Sequence, residues 1–84
     1  MSKYNLEVYA NHKGEPLEVT FRDIEGELPR KGDVYKLNQL HSSRVSLWGY
    51  YDVSNVLHVA NSNNPDTVIP ENPIVTINHQ RDSI

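Results

Sequence analysis

Apolar and polar residues alternate with a period of two along several short stretches of this chain. That period belongs to strands, whose successive side chains point to opposite faces. Residues 4–10 set Tyr4, Leu6, Val8 and Ala10 against Asn5, Glu7 and Tyr9. Residues 17–22 set Leu17, Val19 and Phe21 against Glu18, Thr20 and Arg22. Between them, Asn11, His12, Lys13 and Gly14 read as a turn, with Gly14 free to take the positive φ of a short hairpin loop. The two strands are therefore expected to pair antiparallel, and Pro16 at the entrance of the second is compatible with that. Ile24 breaks the phase set by Phe21, which points to a bulge or to the end of the strand.

Residues 25–32, EGELPRKG, read as a loop whose single apolar anchor is Leu28. Residues 33–38, DVYKLN, fit two patterns. A strand would alternate Asp33, Tyr35 and Leu37 with Val34, Lys36 and Asn38. A helix capped by Asp33 would put Val34, Leu37, Leu40 and His41 on one face. The strand is favoured, because Val and Tyr prefer it and the segment is short for a helix. Residues 39–43 are then a turn.

The longest apolar-rich stretch is residues 44–61, RVSLWGYYDVSNVLHVAN. As a strand, it puts Val45, Leu47, Tyr51 and Val53 on one face, with Gly49 among them. Trp48 and Tyr50 fall on the other, and Leu57 is followed on its own face by Val59. Apolar residues on both faces mean that both are covered, or that one presents an aromatic patch to a partner. Two registers fit. In one, residues 52–55, DVSN, form a hairpin loop between two strands; in the other, one long bent strand runs through with a bulge near Ser54. The hairpin is the preferred reading. Residues 61–73, NSNNPDTVIPENP, hold three prolines and four asparagines and are expected to be an irregular, lid-like loop with Val68 and Ile69 tucked under the body. Residues 74–79, IVTINH, alternate again and give the last strand, followed by a polar tail over 80–84 that is expected to fray.

The sum is a single small β domain over residues 1–84. It is an all-β, five- or six-stranded, mainly antiparallel barrel or sandwich with little or no helix. Leu6, Val8, Val19, Phe21, Val75 and Ile77 supply one packed layer. Whether the loops at 25–32 and 61–73 cover the other face of the central stretch decides between a filled barrel and an open binding surface.

Composition narrows the function classes. A chain of 84 residues buries roughly 60–65% of its unfolded surface, enough for one core and no more. The formal charge of −3, with no basic run longer than Arg30-Lys31, argues against non-specific nucleic-acid binding. The absence of cysteine removes disulfides, thiolate metal sites and cysteine nucleophiles, and fits a reducing cytoplasm. No apolar run reaches the ~18–20 residues of a membrane helix, and the first residues lack the apolar segment of a signal peptide. A cytoplasmic protein without a membrane partner is the expectation.

One pattern is familiar. The run Leu28-Pro29-x-x-Gly32-Asp33-x-Tyr35, with the later Tyr51-x-Val53-x-x-Val56, resembles an arrangement in small SH3-like β-barrel proteins of phage and bacterial origin. In those proteins the Gly-Asp opens a strand after a loop, and the later run forms a bent strand. The likeness covers about half of the chain. It implies a fold and carries over no active site.

Candidate chemistry is sparse. His12, His41, His58 and His79 form no HxH or HxxxH pair, although His58 and His79 fall in predicted strands that could be neighbours. Glu15 with Glu18, or Glu25 with Glu27, supplies two carboxylates, but on turns and polar strand faces where they should be solvated. Ser42, Ser43 and Ser46 lack a nucleophile-elbow context, and the four glycines form no phosphate-binding loop. No metal, cofactor or catalytic residue is expected.

The seven aromatics, Tyr4, Tyr9, Phe21, Tyr35, Trp48, Tyr50 and Tyr51, are the informative set. Most should fill a small core. The exception is the Trp48/Tyr50 face, which with Arg44, Leu57 and Val59 is the candidate partner-binding surface. The expected function is a non-enzymatic module that binds another protein through this aromatic face or a sheet edge, the edge also serving a homodimer. A single-stranded nucleic-acid binder is the alternative, with Arg44 on the parity of Trp48 and Lys36 nearby as its basic residues.

Overall fold

The structure is a computed structural model that describes residues 3–12, 14–41, 46–64 and 66–83. Every element among them is a strand: β1 (Lys3–His12), β2 (Glu15–Glu25), β3 (Val34–His41), β4 (Ser46–Leu57), β5 (Ala60–Asn64), β6 (Thr67–Pro70) and β7 (Ile74–Arg81). Five of them form one curled sheet in the order β2-β1-β7-β4-β3, while β5 and β6 form a separate two-stranded arm. The all-β reading holds, and the ambiguous residues 34–41 are strand.

The first hairpin forms as its alternation requires. β1 and β2 pair antiparallel, with His12 opposite Glu15 and Gly14 at φ +80 in the turn. Pro16 sits on β2, an edge of the sheet, where a missing N–H is tolerated. The phase break at Ile24 is a bulge: Tyr4 pairs with Ile24 but Leu6 with Phe21, and Asp23 takes φ +57 between them. The Asn5 side chain accepts the Asp23 N–H at 3.2 Å, which supports the left-handed residue.

β1 also pairs in parallel with β7, from Asn5 opposite Ile74 to Val8 opposite Ile77. This joins the first strand to the last and puts two fully apolar inner faces side by side. β2 and β3, consecutive in sequence, end up at opposite edges. A flat sheet would separate them by ~19 Å, four spacings of about 4.8 Å. Curling shortens the span: the Tyr4 and Tyr35 hydroxyls hydrogen-bond at 2.7 Å, linking β1 to β3 across the concave side. Residues 26–33 bridge the two edges and carry Leu28 onto the core. Gly32 donates to the Val53 carbonyl at 2.9 Å and Val53 donates to the Asp33 carbonyl at 2.9 Å, so the bridge is fastened to β4 just before β3 begins.

The core lies inside this half-barrel. Tyr4, Leu6, Val8, Ala10, Leu37, Leu47, Tyr51, Val53, Val75 and Ile77 are buried, with Val19, Phe21, Ile24 and Val56 packed against them. The predicted packed layer is therefore present, and Leu47, Tyr51 and Val53 share one face as the alternation required.

Four expectations fail. Residues 52–55 are not a hairpin loop: β4 runs unbroken from Ser46 to Leu57 because β7 pairs along it from Tyr50 to Leu57. The strand bends instead, with a bulge at Ser54, whose hydroxyl donates to the Thr76 carbonyl at 3.2 Å. Residues 61–73 are not an irregular lid: β5 and β6 pair antiparallel as an arm, and Ile69 is 45% exposed rather than tucked under the body. Residues 39–41 are strand rather than turn, since β3 continues through Leu40 and His41. Residues 42–45, including Ser42, Ser43 and Arg44, lie outside the described residues. At the C-terminal end, Gln80 and Arg81 belong to β7 rather than to a tail.

Candidate functional site

β4 has an inner and an outer face with different chemistry. The inner side chains fill the half-barrel. The outer ones are Trp48, 49% exposed, and the half-buried Tyr50 and Asp52. Gly49 sets this alternation. It is buried at φ +108, and a Cβ there would lie 2.7 Å from the Arg81 carbonyl oxygen. The close approach of β4 to β7 at this point thus excludes every other residue.

Nearby side chains fix the Trp48 backbone and contact the Tyr50 ring. The Trp48 carbonyl accepts the Gln80 side-chain amide at 2.8 Å and the Tyr51 hydroxyl at 3.4 Å. Lys36 on β3 places its ammonium 5.3 Å from the centre of the Tyr50 ring, a cation–π contact. Trp48, Tyr50, Lys36, Asn38 and Asp82 line a shallow depression of about 390 Å³. A flat aromatic floor with one cation and one carboxylate at its rim suits stacking or apolar contact combined with directional hydrogen bonds.

Beside it stands an ion cluster that no local pattern announces. Arg81 forks onto Asp52 with two bonds of 2.9 Å, and His79 Nδ1 lies 3.3 Å from the same carboxylate. A bulge in β7 makes this possible: Tyr50 pairs with Arg81 and Asp52 with Asn78, leaving His79 at φ +58. The Arg81 hydrogen bonds are the main reason that the Asp52 carboxyl titrates below its usual range, and the guanidinium in turn is pushed up by Asp52. Arg81 and Asp52 largely cancel, which leaves the aromatic floor without net positive charge.

The predicted site residues divide into two places. Trp48 and Tyr50 stand together, with Lys36 beside them as the sequence suggested. Leu57, 52% exposed, is the last residue of β4, ~30 Å along the strand from Trp48 for nine residues at ~3.3 Å each, and Val59 lies just beyond the strand. Val59 lines a polar cleft with Asn5, Glu7, Arg22, Glu71 and Asn72. Arg44 is outside the described residues. His58 and His79 are not neighbours: Leu57 pairs with Ile74 at one end of β7, and His79 lies at its other end. Glu15, Glu18, Glu25 and Glu27 are exposed, Glu25 against Lys3 at 3.8 Å and Glu18 accepting the Tyr9 hydroxyl at 3.3 Å. Among the described residues no three of His, Asp and Glu gather as metal ligands, and no helix is long and apolar enough to cross a membrane.

Compared with protein-family models, with curated proteins and with solved structures, the chain shows no significant match.

Proposed function

We propose that this chain is a non-enzymatic interaction module that binds another protein through the outer face of β4, centred on Trp48 and Tyr50. The exposure of Trp48 carries this reading. A tryptophan left half in water on a strand whose alternate residues are fully buried serves no core, and exposed Trp and Tyr are the side chains that anchor protein interfaces. Lys36 and Asp82 at the rim supply polar contacts around an apolar centre, the usual arrangement of such a patch. Arg44, four residues before Trp48 in the sequence, is the further candidate that the sequence offers. Its resemblance to small SH3-like barrels of phage and bacterial origin suits a mobile-element protein acting in the cytoplasm.

The test is affinity capture from the native host with the intact chain and with Trp48→Ala. A partner retained by the intact chain and lost from a folded Trp48→Ala variant supports the reading. Equal retention by both removes the aromatic face from it.

Single-stranded nucleic acid is the second reading, and the Lys36–Tyr50 contact is the observation in its favour. Asp82 and the neutralised Asp52–Arg81 pair weigh against it, because a strand needs a track of uncompensated cations for its phosphates. Quenching of Trp48 fluorescence by an oligonucleotide, reversed by salt, would move the balance to this reading.

A further inference from the structure

The main sheet ends in two free edges, β2 and β3, and the pairing registers fix which backbone groups each edge leaves unspent. Along an antiparallel pair, residues that bond across alternate with residues that point away. Val53 donates to the Asp33 carbonyl, so the bonded pairs of β3 and β4 are Asp33–Val53, Tyr35–Tyr51 and Leu37–Gly49. The N–H and C=O groups of Val34 and Lys36 therefore point outward, and no other described residue takes them. Their side chains are exposed as well, Val34 by 46%.

β2 is the opposite case. Asn5 donates to the Pro73 carbonyl, on the side of β7, so Leu6, Val8 and Ala10 bond to β2. The outward groups of β2 then belong to Pro16, Glu18 and Thr20, opposite Asn11, Tyr9 and Glu7. Pro16 has no N–H to offer, Glu18 and Arg22 are exposed charges, and the bulge at Asp23 distorts the strand. Each of these keeps a further strand from adding to an edge. Over Val34–Leu37 the β3 edge runs without a bulge and carries one such device, Lys36.

A second copy supplies a strand that fits. Joining β3 to another copy's β2 meets the blunted edge, whereas β3 against β3 closes on a two-fold axis. The register that sets Lys36 opposite the partner's Lys36 brings like charges together. Setting Val34 opposite the partner's Lys36 avoids this. Each Val34 then exchanges both backbone hydrogen bonds with the partner's Lys36, and the lysine stem covers the exposed valine. Tyr35 meets the partner's Tyr35 at a non-hydrogen-bonded position, where aromatic pairs stabilise, and the Lys36 ammonium keeps its place over Tyr50. The chain has surface to bury. Its 6135 Å² exceeds by about 1,000 Å² what a monomer of 9.6 kDa should expose, and a stable interface takes ~600–1,000 Å² from each copy.

We propose that this chain forms a two-fold dimer by pairing β3 with β3 of a second copy, Val34 opposite the partner's Lys36 and Tyr35 on the axis. The main sheets of both copies become one continuous sheet. The axis is perpendicular to that sheet, so both Trp48 faces lie on the same side and a partner with a repeated contact is held twice. The pairing does not use Trp48, so either proposal can stand without the other.

Sedimentation equilibrium of the full chain tests it. The mass should approach that of two chains by about 0.1 mM, the range of a small interface. Val34→Pro removes an outward N–H at the first residue of the strand, where proline is tolerated. It should weaken the dimer tenfold or more with unchanged circular dichroism. Val34→Lys sets like charges opposite each other and should weaken it as much, while Val34→Glu, facing the partner's Lys36, should keep it. These two variants give the answer if Val34→Pro does not fold. Thr20→Pro, at an outward position of β2, and Trp48→Ala should leave the mass unchanged. A chain still monomeric at about 1 mM overturns the proposal. So does a dimer indifferent to Val34→Pro and Val34→Lys, one weakened as much by Val34→Glu as by Val34→Lys, or one lost in a folded Thr20→Pro or Trp48→Ala variant.

Discussion

Tyr51 and Trp48 are three residues apart on one strand, and the protein treats them in opposite ways. Tyr51 is fully buried at the centre of the half-barrel, while Trp48 keeps 49% of its surface in water. The inner face of β4 is buried in a core shared with residues of β1, β3 and β7, so its residues carry the fold. Among the described residues no second layer of strands covers the outer face, so its residues are open to carry something else. Conventional hydrophobicity would rank the two rings alike; strand parity separates them.

The largest expected effect is on the inner face. Tyr51→Ala should cost about 3–5 kcal/mol in urea unfolding, enough to leave a domain this small mostly unfolded, whereas Trp48→Ala should stay within about 1 kcal/mol. Equal losses would mean that both faces are core. Next comes the glycine that separates the rings. Gly49→Ala puts a Cβ against the Arg81 carbonyl in a left-handed backbone and should cost about 1–3 kcal/mol. A neutral substitution would show that β4 and β7 are further apart at this point.

The hydrogen bond across the concave side is smaller. Tyr35→Phe leaves the buried Tyr4 hydroxyl without its partner and should cost about 1–2 kcal/mol. Burial first, and then the Tyr4 bond, raise the Tyr35 pKa, so its hydroxyl should stay protonated where free tyrosine ionises. An ultraviolet titration of the intact chain should show that group missing from the ordinary tyrosine step.

The smallest effect is on the outer face. Asp52 has a folded-state pKa below its ordinary value of 3.8, so the unfolded chain binds its proton first as pH falls. The stability it contributes is present above pH ~3.8 and is lost as pH drops from there through the folded value. Asp52→Asn should therefore be slightly less stable than the intact chain at neutral pH, and the two should converge in acid. A difference that persists unchanged at low pH would assign the loss to packing.

What the sequence revealed follows the same division. Strands whose one face is buried announce themselves, and β1, β2 and β7 were legible from Tyr4-Leu6-Val8, Leu17-Val19-Phe21 and Val75-Ile77. Trp48 and Tyr50 were legible as a separate face for the same reason. β4 was misread at residues 52–55 because Asp52, Ser54 and Asn55 are turn formers by habit. Here Asp52 is held by Arg81, twenty-nine residues away, and the Ser54 hydroxyl by the Thr76 carbonyl. The arm was misread because its asparagines and prolines give no alternation, and among its described residues Ala60, Asn61, Ser62, Ile69 and Pro70 are all exposed, so no buried face imprints one. The parallel pairing of β1 with β7 is likewise decided by long-range packing and leaves no local mark.

Trp48 is the only tryptophan in the chain, so its fluorescence reports this face alone. Acrylamide quenching in the native and the urea-unfolded states measures its exposure directly. A ring on the open outer face of β4 should be quenched readily in the native state, with red-shifted emission that changes little on unfolding. A native ring that is shielded from acrylamide and emits to the blue, becoming accessible only when the chain unfolds, would place Trp48 in the core and contradict the two-faced strand.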